Sequence, residues 1–156
     1  MTDDDLLKPS LGDGTKLQPI YSVGALIAAA FFGGGPAVVI VASLNSGRLA
    51  RVGRDAALLV LGFVIAVAVP IAVLHGQLPD ADTDSLRNTR LVNRGIGFVL
   101  AGAVFLLHRD AYRTMRTMGI EPPKPWVPVL AATLAGIAIT LVSVTAYRSF
   151  VAAAVS

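Results

Sequence analysis

No charged side chain occurs in residues 17–47, which read LQPIYSVGALIAAAFFGGGPAVVIVASLNSG. Three more charge-free runs follow, at residues 56–79, 95–108 and 125–147. A helix needs about 20 residues to cross about 30 Å of hydrocarbon, because each residue adds about 1.5 Å. The runs therefore predict an all-α membrane protein, with four transmembrane helices in an antiparallel bundle at residues 23–44, 56–74, 91–107 and 127–146.

The third run is the weakest of the four, because its 14 residues make only about 21 Å of helix. A full crossing requires Asn93 and Arg94 inside the first turn. Arg94 can then extend its guanidinium to the headgroups while its stem stays in hydrocarbon. The alternative is a locally thinned bilayer or a re-entrant segment.

The composition agrees with a lipid environment. Of the 156 residues, 54% are hydrophobic and 15% are charged, whereas soluble domains carry about 25% charged residues. The net charge of +3 is small and is divided among loops, so we expect the lipid bilayer as a partner and no nucleic acid. Residues 1–22 form a polar tail that we expect to be flexible, and residues 23–156 form a single transmembrane domain.

The basic residues suggest an orientation. Four crossings put both termini on one side, and the first and third loops on the other. Those two loops contain most of the arginines, and basic loops stay cytoplasmic, so we expect both termini outside. The arginines expected to set this topology and to contact headgroups are Arg48, Arg51, Arg54, Arg109, Arg113 and Arg116.

The first helix contains a break at Gly33, Gly34, Gly35 and Pro36. Proline lacks an N–H and leaves a carbonyl one turn earlier without a partner, so we expect a kink. One interpretation is a broken helix whose freed backbone groups bind a solute or an ion, as in transporters. The other is a kinked helix that serves only packing.

The fourth helix carries small residues at intervals of three or four positions. Such a stripe lets helices approach closely, and its hydroxyl groups can form hydrogen bonds across the contact. The stripe can face another helix of the same chain or a second protomer. Its members are Ala132, Gly136, Thr140 and Ser143.

Residues with metal-binding or catalytic chemistry are few. His75, Asp80, Asp82 and Asp84 have a spacing that can present carboxylates to a divalent cation. The loop lacks the glycine and the distal glutamate of a calcium site, so the preferred interpretation is a solvated, charge-balanced loop. The chain has no cysteine and no recognisable catalytic motif, so we expect no metal and no cofactor.

A second group of titratable residues occurs on the other predicted face. Asp55, His108 and Asp110 can form an acid/base pair at the membrane interface if they converge. The alternative needs no special site. In that interpretation Asp55 caps the second helix, and Asp110 pairs with Arg113 one turn later.

The segment from Phe32 to Arg54 contains FGGGPA, then Asn45, then RLARVGR. It resembles small bacterial four-span membrane proteins that have a Phe-x-Gly-Gly-Pro first helix followed by Asn and a basic loop. This chain has one more glycine before the proline. The resemblance implies a bacterial inner-membrane location and no particular activity.

Three functions are compatible with these patterns. The first is a non-enzymatic membrane protein that acts through helix–helix association, as a homo-oligomer or as an accessory subunit of a membrane complex. The second is a small channel or transporter for a neutral solute, built around the break at Gly33–Pro36. The third is an enzyme at the membrane interface.

Overall fold

The computed structural model describes residues 18–76 and 83–155, and all secondary structure in those ranges is helical. The helices are α1 (Val23–Arg48), α2 (Val52–Gly76), α3 (Thr83–Leu107), α4 (Arg109–Thr117) and α5 (Trp126–Val155). By length and composition, α1, α2, α3 and α5 are able to cross a membrane. The prediction of four such helices is confirmed.

Helix α1 folds back on itself at Gly34. A straight helix of 26 residues would separate its ends by about 39 Å. Instead, the Tyr21 N–H donates to Asn45 Oδ1 at 2.8 Å, and Asn45 Nδ2 donates to the Tyr21 carbonyl at 3.3 Å. The non-helical backbone inside α1 is at Gly34, with φ 70° and ψ −158°. The helix is therefore a hairpin of two antiparallel halves, residues 23–33 and 35–48, which we call the α1 hairpin.

The sequence at the hairpin tip, residues 33–36, explains the turn. A positive φ is accessible to glycine and strained for other residues, and Gly34 supplies it. Pro36 lies in the first turn of the second half-helix. A proline is tolerated there because an N–H in the first turn has no intrahelical partner.

The α1 hairpin forms the centre of the molecule, between α3, α5 and α2. In its apolar stretch 67% of the residues are buried, against 22% in each of the other three long helices. Gly136 of α5 lies so close that an added Cβ would be 2.8 Å from the Gly33 carbonyl oxygen. Ala132 is also buried. Gly136 of the α5 stripe therefore packs on α1 within the same chain.

The hairpin changes where the chain ends lie. One end of the bundle, which we call the hairpin end, contains Tyr21, Arg48, the start of α2 and all of α4. The opposite far end contains His75, at the end of α2, hydrogen-bonded to Tyr147 of α5. Residues 18 and 155 lie at opposite ends, whereas four full crossings would place both termini together. The prediction of a complete first crossing at residues 23–44 is therefore not what the geometry of α1 shows.

Candidate binding cleft at the hairpin tip

Asn93 of α3 is the polar side chain that meets the hairpin tip. Its Oδ1 accepts the Gly35 N–H at 3.2 Å, and its Nδ2 donates to Thr140 Oγ1 of α5 at 3.4 Å. The first N–H groups of a helix lack intrahelical acceptors, so Asn93 supplies one to the second half of α1. Its amide also fills the space beside Gly34, where an added Cβ would lie 2.3 Å from Nδ2.

An open cleft lies beside the tip. It exists because the two halves of α1 are only about 17 and 21 Å long, whereas α3 and α5 continue past the tip on either side. The tip and Asn93 form part of its wall. The cleft is lined by Phe32, Gly33, Gly34, Arg90, Asn93, Arg94, Ile137, Thr140 and Leu141.

The cleft is electropositive. Arg90 and Arg94 lie one helical turn apart on α3 and are both exposed, and the Arg94 guanidinium lies 4.9 Å from the centre of the Phe31 ring. No acidic residue is among the described residues that line the cleft. The tip joins the C-terminal end of the 23–33 half-helix to the N-terminal end of the 35–48 half-helix, so the opposite partial charges of these two helix ends offset each other and the two arginines set the sign. This arrangement favours an anionic ligand over a cation.

Arg94 lies deep along α3. It is 13 residues from Leu107, or about 20 Å from the hairpin end, and is level with the tip. An arginine in hydrocarbon is costly unless it faces water, a headgroup or a polar partner. If the helices cross a bilayer, the Arg94 guanidinium must therefore reach water or lipid headgroups, either in the cleft or by extending its side chain along α3.

A second buried polar cluster lies at the hairpin end. Ser46 Oγ donates to Asp55 Oδ2 at 2.7 Å, and His108 Nε2 lies 3.0 Å from the same oxygen. The side chains of His108 and Asp55 are 1% and 2% exposed. Asp55 and His108 thus do converge, but Asp110 is exposed on α4 and its side chain forms no described hydrogen bond with either.

This cluster does not have the arrangement of a hydrolytic triad. In a triad, histidine lies between serine and aspartate and accepts the serine proton. Here Asp55 lies between the other two, and His108 Nδ1 is buried without a hydrogen-bond partner. Ser46 is therefore not activated by His108. The contacts join α1, α2 and the end of α3, which is a structural role.

A third cluster closes the hairpin. Asn45 binds both backbone groups of Tyr21 and donates to the Tyr112 hydroxyl at 3.3 Å. The Tyr112 hydroxyl in turn donates to the Tyr21 carbonyl at 3.1 Å. Burial raises the pKa of Tyr112 to about 12, although its hydrogen bond with Asn45 acts in the opposite direction. Arg48 completes the cluster by donating to the Tyr21 hydroxyl at 2.8 Å.

The remaining predicted site residues are dispersed. Arg48 contacts Tyr21 rather than projecting from the surface, whereas the other topology arginines are exposed at the hairpin end: Arg51, Arg54, Arg109, Arg113 and Arg116. Ser143 lies between α5 and α2, beside Pro70. No ion pair joins Asp110 and Arg113 in the described part of the chain.

The candidate metal ligands are only partly described. Asp80 and Asp82 lie outside the described residues, as does the side chain of Asp84. His75 contacts the Tyr147 hydroxyl through Nδ1. Among the described residues, no group of three His, Asp or Glu side chains is placed to hold a metal ion.

Sequence reasoning missed the two asparagines that organise the site. Asn45 and Asn93 are polar residues that interrupt strongly apolar segments, and both are buried. An asparagine inside an apolar helix is a signal that the sequence does contain, because a buried amide needs a hydrogen-bond partner. Neither the partner nor its position can be read from the sequence, since Gly35 and Asn93 are 58 residues apart.

The helices define the class: an all-helical protein with four segments long and apolar enough to cross a membrane. No protein-family model, curated protein or solved structure matches the chain. The resemblance of residues 32–54 to small bacterial membrane proteins therefore stays a prediction.

Proposed function

We propose that the protein is a non-enzymatic, multi-pass integral membrane protein that binds a small polar solute in the cleft at the hairpin tip, as a small channel or transporter does. In this arrangement α2, α3 and α5 cross the bilayer. The α1 hairpin enters from one face and ends beside Asn93 and Thr140. The observation that carries the proposal is the cleft at the tip, which is bordered by broken-helix backbone and polar side chains from α3 and α5.

The alternatives explain less of the geometry. An enzyme at the interface would use Asp55 and His108, yet both are buried and their arrangement does not activate Ser46. The cleft, by contrast, is open, and its lining includes Arg90, for which the described residues show no hydrogen bond or ion pair. Broken helices whose ends meet a cavity are a recurrent way to bind solutes inside membranes.

The hairpin also suggests a new orientation, which replaces the expectation that both termini are outside. Seven basic residues belong to the hairpin end, namely Arg48, Arg51, Arg54, Arg109, Arg113, Arg116 and Lys124, and four lie at or beyond the level of the hairpin tip, namely Arg87, Arg90, Arg94 and Arg148. Basic loops stay cytoplasmic. The hairpin end and the N-terminal segment are then cytoplasmic, and the cleft opens outward. We propose a bacterial inner membrane on the basis of the resemblance at residues 32–54.

Helix–helix association is the second candidate function, and the surface proposed for it lies on α3 rather than on α5. The stripe of α5 is used within the chain, but added Cβ atoms at Gly95 and Gly102 of α3 would meet nothing within 4 Å. These glycines are seven residues apart and Val99 between them is exposed, so a second helix can approach there. A disulfide dimer formed by Gly102→Cys in native membranes, and absent for Val60→Cys on α2, would support this candidate.

Solvent access to the cleft tests the main proposal. The chain has no native cysteine, so single-cysteine variants carry no background. Leu141→Cys places a thiol in the cleft lining, and its neighbour Val142→Cys is the matched control, exposed to a similar degree but not part of the lining. We expect a membrane-impermeant maleimide to label Leu141→Cys from the far end and to leave Val142→Cys unmodified. Equal protection of both positions would contradict a wet cleft.

A further inference from the structure

We propose that the ligand of the cleft carries a phosphate group, which Arg90 and Arg94 bind together. This inference rests on the proposed function, since it requires the cleft to be open to solutes or headgroups. The proposed ligand is an anion, whereas the sequence suggested a neutral solute, because the structure places two arginines beside the hairpin tip.

The two guanidinium groups are the main argument. Residues four apart on a helix lie on the same face, and both Arg90 and Arg94 line the cleft. Arginine presents a planar fork of donors that matches two oxygens of a phosphate. The contact of Arg94 with the Phe31 ring restricts its side chain, so less conformational entropy is lost when an anion binds.

The rest of the lining selects between ligand classes. A cation would need oxygen ligands and negative charge, and the described lining residues contain no carboxylate. Phe32, Ile137 and Leu141 form an apolar side of the cleft. That side accepts the organic part of a phosphate ester, while the arginines bind its phosphate. The ligand source is therefore either a phospholipid headgroup or a phosphate-bearing solute.

Binding measurements on the full-length protein in detergent test the proposal. One arm titrates inorganic phosphate, and the other titrates dihexanoyl phosphatidylglycerol, each against dihexanoylglycerol as the phosphate-free control. The variant Arg90→Gln/Arg94→Gln removes both forks. The matched control is Arg113→Gln/Arg116→Gln, which removes two exposed arginines of α4 at the hairpin end.

We expect the wild type to bind in at least one arm, and the cleft variant to bind at least about tenfold more weakly, because it lacks the charge-assisted hydrogen bonds of both guanidinium groups. The α4 variant should bind like the wild type. Binding in the lipid arm alone identifies a headgroup, and binding of inorganic phosphate identifies a solute. A second variant, Leu141→Trp, fills the cleft from an exposed position and should also reduce binding if the double variant does not fold.

Two results would overturn the inference. One is the absence of binding in both arms by the wild type, and the other is undiminished binding by folded Arg90→Gln/Arg94→Gln protein. Labelling of Leu141→Cys separates these failures from failure of the proposed function. If that thiol is reached by the maleimide but no phosphate binds, the cleft remains a solute site and only its ligand class is wrong.

Discussion

The hairpin end and the hairpin tip differ in how their polar groups are satisfied. At the hairpin end, Asn45, Asp55 and His108 are buried and bound to groups of the protein. At the hairpin tip, Arg90 and Arg94 are exposed in a cleft. Buried polar groups must find partners within the protein, so the first region fixes the fold. In the second region, the described residues show no hydrogen bond or ion pair of the two guanidinium groups, which leaves donors for a ligand.

The largest effect should come from changing the turn of the hairpin. In Gly34→Ala the backbone of residue 34 would have to keep its positive φ of 70°. The added Cβ would also lie 2.3 Å from Nδ2 of Asn93. We expect a loss of about 2–5 kcal/mol in the free energy of unfolding, from backbone strain and overpacking together. Unfolding in SDS, followed by circular dichroism, measures it.

The matched control for that change is Gly95→Ala on α3. An added Cβ there meets nothing within 4 Å, and alanine is the better helix former by about 0.5–1 kcal/mol. Equal stability of the Gly34→Ala and Gly95→Ala proteins would show that α1 does not turn at Gly34.

Loss of the amide that closes the hairpin should have the next largest effect. Asn45→Leu leaves the buried N–H of Tyr21 without its acceptor and removes a partner of the Tyr112 hydroxyl. Each unsatisfied buried group costs about 1–3 kcal/mol, so we expect a loss of about 2–4 kcal/mol. Asn88→Leu, at an exposed position of α3, should change the free energy of unfolding by less than about 0.5 kcal/mol. An effect of equal size at both positions would contradict the closing role of Asn45.

The Asp55 cluster should be sensitive to a conservative change. Asp55→Asn keeps a hydrogen-bond acceptor for Ser46 but weakens its two buried contacts. We expect a loss of about 1–2 kcal/mol in the same unfolding measurement. Asp110→Asn, on the exposed side of α4, is the control and should be neutral. No difference between the two variants would mean that Asp55 does not join the helices.

The smallest effect concerns alkaline pH. Burial raises the pKa of Tyr112 from 10.0 to about 12, so the folded state holds this proton more tightly than the unfolded state does. The stabilisation is complete below pH 10 and is lost as pH rises from 10 towards 12. Unfolding measured at pH 8, 10 and 11.5 should show this decline. In Tyr112→Phe the decline should be smaller, and an identical pH profile would contradict the burial of this hydroxyl.

Length and hydropathy predicted the helices well and the path of the first one poorly. The prediction of residues 56–74 lies inside α2, and 127–146 lies inside α5. The prediction of 91–107 misses the first eight residues of α3, because Arg87, Arg90 and Arg94 hide its start from a search for charge-free runs. His108 separates α3 from α4.

The hairpin was not predictable from the same signals. A charge-free run of 31 residues is long enough for one crossing and equally for two short half-helices. The glycines and Pro36 located the break, but its angle depends on contacts with residues distant in sequence. Asn93 binds Gly35 across 58 residues, and Tyr112 binds Tyr21 across 91. The cleft follows from that turn, so the sequence indicated only that Arg94 reaches the headgroups and gave Arg90 no site.

The side of the membrane on which the first helix begins tests the central claim most directly. Single cysteines at Gln18, Gly47 and Ala152, all exposed positions, can be labelled with an impermeant maleimide in right-side-out and inverted vesicles. A re-entrant hairpin predicts that Gln18→Cys and Gly47→Cys are labelled from the same side, and Ala152→Cys from the other. Labelling of Gln18→Cys and Ala152→Cys from one side, with Gly47→Cys on the opposite side, would show that α1 crosses the bilayer and would contradict the account.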